Sequence, residues 1–123
     1  MKRGGILNAR LAGLIAGMGH TDALVVADVG LPVPPGVALV DLAVTEGLPG
    51  FAPVLTAILG ELAVERCVMA EEASAALLAL APCPPERVGH EAFKKLTAGA
   101  RVIVRTGETT PYANIVLYSG VTF

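Results

Sequence analysis

The sequence predicts an α/β fold: one three-layer domain over residues 1–123, with a largely parallel sheet flanked by helices. Three observations predict it. Short apolar runs rich in β-branched residues alternate with segments whose apolar residues recur at helical spacing, a pattern that favours a parallel sheet between helices. The run Ala23-Leu-Val-Val-Ala27 has no polar side, as expected of a strand covered on both faces. A chain of 123 residues suits a single core, whereas two domains would leave each half too small to bury much surface.

Leu7, Leu11, Leu14, Ile15 and Met18 predict a first helix over Ala9–Met18, with Asn8 as its N-cap and Gly19 just past its end. The strand Ala23–Ala27 follows. Gly30–Gly36 holds three prolines and two glycines, so it forms a rigid loop. Val37–Val44 reads as a second strand interrupted by Asp41. Pro53 opens a helical pattern through Val54, Leu55, Ile58, Leu59 and Leu62, and proline suits a first helical turn. Ala63–Ala70 reads as a strand with Glu65 and Arg66 on a polar side. Glu71–Leu80 favours helix by propensity, and the prolines of Ala81–Pro85 end it. A short strand at Arg87–Gly89, a short helix at His90–Ala98 and strands at Arg101–Arg105 and Ala113–Tyr118 complete the order, with Thr106–Pro111 between the last two.

Composition narrows the function classes. Hydrophobic residues make up 54% and charged residues 16%, which argues against disorder and for extra burial, in a membrane or between subunits. Uncharged stretches such as Gly47–Gly60 and Ala73–Pro85 fall short of the roughly 20 apolar residues a spanning helix needs, and both contain glycine or proline. Subunit interfaces are the better account, so a homo-oligomer is expected. Net charge is −2, aromatic content is 4% and no basic stripe is present, so no nucleic-acid partner is expected. Arg10 interrupts any signal-peptide core after the basic MKRGG start, which leaves a cytoplasmic location as the expectation. Cys67 and Cys83 lack metal-site spacing and read as ordinary thiols.

Candidate chemistry gathers around the first strand. His20 precedes it and Asp28 closes it, at the carboxyl end where ligands collect in layered α/β folds. The two lie at opposite ends of one strand, so only the wider fold or a second subunit can bring them together. Taken alone, His20 also fits a loop or cap, Asp28 a turn, His90 a first helical turn, and Tyr112 and Asn114 a turn leading into a strand. No nucleophile elbow, zinc motif or phosphate-binding loop is present, and the two histidines lack a third metal partner.

Longer motifs go further. They are KRGGILN at Lys2–Asn8, GHTDALVVADVGLPVP at Gly19–Pro34, AEE at Ala70–Glu72, GHEAFKKL at Gly89–Leu96, RTGETTPYANIVL at Arg105–Leu117 and the terminal GVTF. In order and over nearly the whole chain, these resemble the D-ribose pyranase family, whose sister group is the L-fucose mutarotases. GLPVP is closer to the ribose branch. The stretch between Glu72 and His90 is proline-rich and shorter than in many members. The resemblance implies an isomerase that interconverts pyranose and furanose forms of free D-ribose with no cofactor. It implies His20 as the proton donor, Asp28 and His90 as sugar-contacting residues, and Tyr112, Ala113 and Asn114 as a sugar-binding element. It also implies a ring-shaped decamer with sites shared between subunits. A mutarotase for fucose or another sugar, and a non-catalytic sugar-binding protein, are the alternatives.

Overall fold

Both faces of the first strand are apolar, and both are covered. In the computed structural model, which describes all residues from Met1 to Phe123, β1 (Ala23–Ala27) is buried along its whole length. Around it the chain runs α1 (Ala9–Ala16), β2 (Ala38–Asp41), α2 (Phe51–Leu59), β3 (Val64–Ala70), α3 (Ala75–Leu78), β4 (Glu86–Val88), α4 (His90–Leu96), β5 (Val102–Arg105) and β6 (Ile115–Ser119). The strands form one sheet in the order β2-β5-β1-β6-β3-β4.

The largely parallel sheet is present, with one reversal. β1 and β2 pair in parallel with β5, and β3 with β4, whereas β6 runs antiparallel to both β1 and β3. The cause is the connection. Thr106–Asn114 contains no helix and is too short for a crossover, so the chain returns in the opposite sense.

Alternation along the strands sends side chains to two cores. Leu24, Val26, Val104, Met69 and Leu117 meet Leu11 and Ile15 of α1, Phe51, Leu55 and Ile58 of α2, and Leu77 of α3. Val25, Ile103, Val68 and Val116 meet Phe93 of α4 on the other side. Burying each such side chain is worth about 1.5–3 kcal/mol. Three helices on one face and one on the other leave the second face thinner.

Element ends differ from the sequence expectation where a polar group captures the backbone. Asn8 does cap α1, accepting from Leu11 N at 2.9 Å, but the helix closes at Gly17, two residues before Gly19. α2 starts at Phe51 rather than Pro53, because the Glu108 carboxylate receives the Phe51 N–H at 3.0 Å. The expected helix Glu71–Leu80 shrinks to α3. Glu71 N donates to Val88 O, and Ser74 caps the single remaining turn by accepting from Leu77 N. Asp41 ends β2 on an exposed ion pair with Arg105 at 2.6 Å. Cys67 and Cys83 meet with sulfurs 3.4 Å apart, and burial pushes the Cys67 thiol up to about 12. No helix is long and apolar enough to cross a membrane.

Candidate active site

Five of the sequence-nominated residues converge beyond the carboxyl end of β1. Asn114, fully buried just before β6, grips Asp28 twice. Its Oδ1 accepts the Asp28 backbone N–H at 2.8 Å, and its Nδ2 donates to Asp28 Oδ2 at 2.9 Å. The other carboxylate oxygen accepts from Gly30 N at 3.0 Å, so Asp28 is fixed by its own turn as well as by the neighbouring strand. This is why an aspartate sits where the apolar run ends: β1 and β6 are adjacent, and the pair joins their tips.

Tyr112 leads into the same corner with φ +64°, a left-handed conformation costly for a tyrosine. The strained turn closes with Asn114 N donating to Tyr112 O at 2.8 Å. Ala113 between them is buried. The Tyr112 ring meets the His90 ring edge-on, with centroids 5.0 Å apart. His90 is the first residue of α4, and its backbone N–H donates to the Glu72 carboxylate at 3.0–3.2 Å. That acid sits at a helix N-terminus, where negative charge is favoured. The His90 Nδ1 is buried and has no hydrogen-bond partner. An orphaned buried nitrogen is uncommon and costs free energy. Asp28, Gly30, Leu31, Pro32, His90 and Lys94 line a polar hollow of about 270 Å³.

His20 is elsewhere. It lies at the opposite end of β1, with its Nε2 2.8 Å from Glu65 Oε2. A five-residue strand spans about 16 Å, so Asp28 and His20 of one chain do not share a sugar. The imidazole borders a second hollow of about 450 Å³, shared with Met18, Ser119 and the tail residues Val121–Phe123. Thr21 beside it has φ +70°. Thr21 and Tyr112 are the only non-glycine residues with positive φ, and each adjoins a candidate residue cluster. The turn after His20 is held by Asp22, whose carboxylate accepts from Gly19 N and from Arg101, both at 2.8 Å. The Gly19 N–H first and the Arg101 guanidinium second hold the Asp22 carboxyl below its ordinary range.

Three charged residues at these ends received no role in the sequence reading. Lys94 follows His90 by four positions and so shares its helix face, a spacing visible in GHEAFKKL. Glu72 stood in the AEE motif without a function attached. Glu65 carried no local signal, because only the strand order brings it to His20. The largest groove, about 610 Å³, lies away from both clusters and is walled by apolar side chains including Leu7, Leu42, Val44 and Leu48.

The model of the RbsD / FucU transport protein family matches residues 1–122. The chain is 52% identical to the D-ribose pyranase of Paracidovorax citrulli (strain AAC00-1) over 130 residues, covering all of both chains. It is 54% identical to the D-ribose pyranase of Pseudomonas putida (strain GB-1) over 138 residues, again covering all of both. Among solved structures, that of Bacillus subtilis RbsD complexed with D-ribose superposes with a TM-score of 0.92 at 46% identity, covering all of both chains.

Proposed function

We propose that this chain, which belongs to the RbsD / FucU transport protein family, is a D-ribose pyranase, an isomerase interconverting the pyranose and furanose forms of free ribose. The observation that carries the reading is 52% identity, end to end, with a protein of that activity.

Cyclic ribose is a hemiacetal. Opening it needs a base to take the anomeric hydroxyl proton while an acid protonates the ring oxygen. The C1–O bond breaks and a carbonyl forms. The chain then rotates, a different hydroxyl attacks the aldehyde, and the two protons return. Histidine suits such work because its ordinary pKa lies near 6.5. In our reading His20 protonates the ring oxygen. Asp28, pinned by Asn114 and Gly30, presents a fixed carboxylate to sugar hydroxyls. His90 acts as the base or a second relay, at the wall of the hollow it shares with Asp28. Tyr112 and backbone groups around Ala113 take further hydroxyls. A positioned acid or base typically contributes about 10²–10⁴-fold, or roughly 3–5 kcal/mol off the barrier.

The same reading makes the working unit a homo-oligomer, a decamer as the family resemblance implies. His20 lies too far from the Asp28 cluster of its own chain, so a neighbouring copy supplies it. The apolar groove, and exposed Leu7, Val44 and Leu48 along it, supply surface of the kind subunit contacts bury.

Saturation-transfer NMR on the purified protein tests the activity across ribose, fucose, galactose and glucose. Anomer exchange should accelerate most for ribose. Greater acceleration of fucose would move the protein to the mutarotases, and ribose binding without acceleration would make it a non-catalytic sugar-binding protein.

A further inference from the structure

The hydrogen bond at the His20 end has a chemical consequence. Glu65 stands at the start of β3 and His20 just before β1, two strands separated only by β6. The carboxylate therefore reaches across the end of β6, past Ser119 and Gly120. Gly120 leaves the room: a Cβ there would sit 3.1 Å from Glu65 Cβ and 3.4 Å from its backbone nitrogen. The carboxylate makes one side-chain hydrogen bond, to His20 Nε2 at 2.8 Å. The adjacent guanidinium does not compete, because Arg66 is engaged by both oxygens of Glu86 at 3.0 and 2.8 Å.

Resting on the assignment of His20 as the proton carrier, we infer that Glu65 is the positioning residue of that imidazole and selects the ring nitrogen that works. An ionised carboxylate only accepts hydrogen bonds, so the nitrogen facing it must carry a proton. Nε2 is thereby kept as N–H in the neutral and the charged ring alike. Nδ1 is left as the nitrogen that gains and loses the proton exchanged with the sugar. Glu65 touches neither sugar nor reacting atom and acts through His20.

Two measurements on the intact protein test this. Long-range ring ¹⁵N correlations should show His20 protonated at Nε2 and bare at Nδ1 in its neutral form. Glu65→Gln, whose amide oxygen still accepts, should keep that pattern, and Glu65→Ala should lose it. In exchange NMR, Glu65→Ala should lower turnover at saturating ribose by about tenfold or more, with half-saturation shifted less than about twofold. It should add nothing in a His20→Ala background, since two residues acting as one unit do not lose activity twice. A neutral ring protonated at Nδ1, wild-type turnover in Glu65→Ala, or losses that multiply in the double variant would each overturn the inference. Wild-type turnover in His20→Ala alone would overturn the assignment beneath it.

Discussion

The two ends of β1 are built to opposite specifications. At the carboxyl end Asp28 is locked by a buried asparagine just before the neighbouring strand and by its own turn, beside a tyrosine in a strained conformation. At the amino end His20 is half exposed, tied to one carboxylate that is itself partly exposed. The first end resembles a rigid grip. The second presents a titratable ring at the rim of an open hollow, beside the chain's own C-terminal tail. A sugar grip gains from pre-organisation because ordering is settled during folding. A proton carrier that must meet a sugar held by another copy gains from being on the surface.

The sharpest way to break this contrast is to truncate one residue at each end. Asn114→Ala leaves the Asp28 N–H and one carboxylate oxygen without their partners in a part-buried corner, at a cost of about 1–3 kcal/mol. Its melting temperature should fall on the order of 5–10 °C, and ribose exchange should be lost. His20→Ala should lower exchange at least about tenfold, yet an exposed substitution of this kind should move melting by no more than about 2 °C. Calorimetry beside exchange NMR reads both quantities. Equal destabilisation by the two variants would dissolve the distinction between grip and carrier.

How much of this was legible in sequence depends on range. β1 was legible because its five residues are apolar without interruption, and the α1 cap because Asn8 acts on a backbone group three residues away. Asp28 and Asn114 were nominated separately, yet their mutual grip spans 86 positions and follows only from β1 lying beside β6. The early start of α2 has the same origin, since the Glu108 carboxylate that captures Phe51 N comes from a distant loop. The reversal of β6 could have been read from the helix-free connection before it, although the period of the strand alone carries no direction. That His20 and Asp28 lie apart was visible already, as they flank a single strand. The partner of His20 was not, because Glu65 reaches it only through the sheet order.

A smaller effect tests whether the two ends belong to different copies. If a site takes His20 from one subunit and the Asn114-pinned cluster from another, inactive His20→Ala and Asn114→Ala proteins should complement when unfolded together and reassembled below the melting point of the weaker variant. Random pairing places both intact halves together at about a quarter of the interfaces, so exchange activity should return to that order. No recovery, with mixed oligomers demonstrated by mass spectrometry, would mean each site is served by one chain.

The finest contrast lies in how the rigid end responds to acid. Glu108 holds the loop beside Asp28: its backbone oxygen accepts from Val29 N at 2.9 Å, and its carboxylate takes Phe51 N and the Thr110 hydroxyl. The Phe51 N–H above all, with Thr110 assisting, lowers the Glu108 pKa below its ordinary value. A carboxyl whose pKa is depressed by folding stabilises the protein fully above the unfolded value, near 4.3, and loses that contribution as pH falls through the folded value. Glu108→Gln retains an oxygen for Phe51 N but removes the charge and the second oxygen that accepts from Thr110. The variant should therefore melt below wild type by a few degrees or less at pH 7, and the gap should close as pH drops below about 4. A gap independent of pH would show that shape rather than charge holds this loop. It would then place the rigidity of the Asp28 end in the Asn114 grip alone.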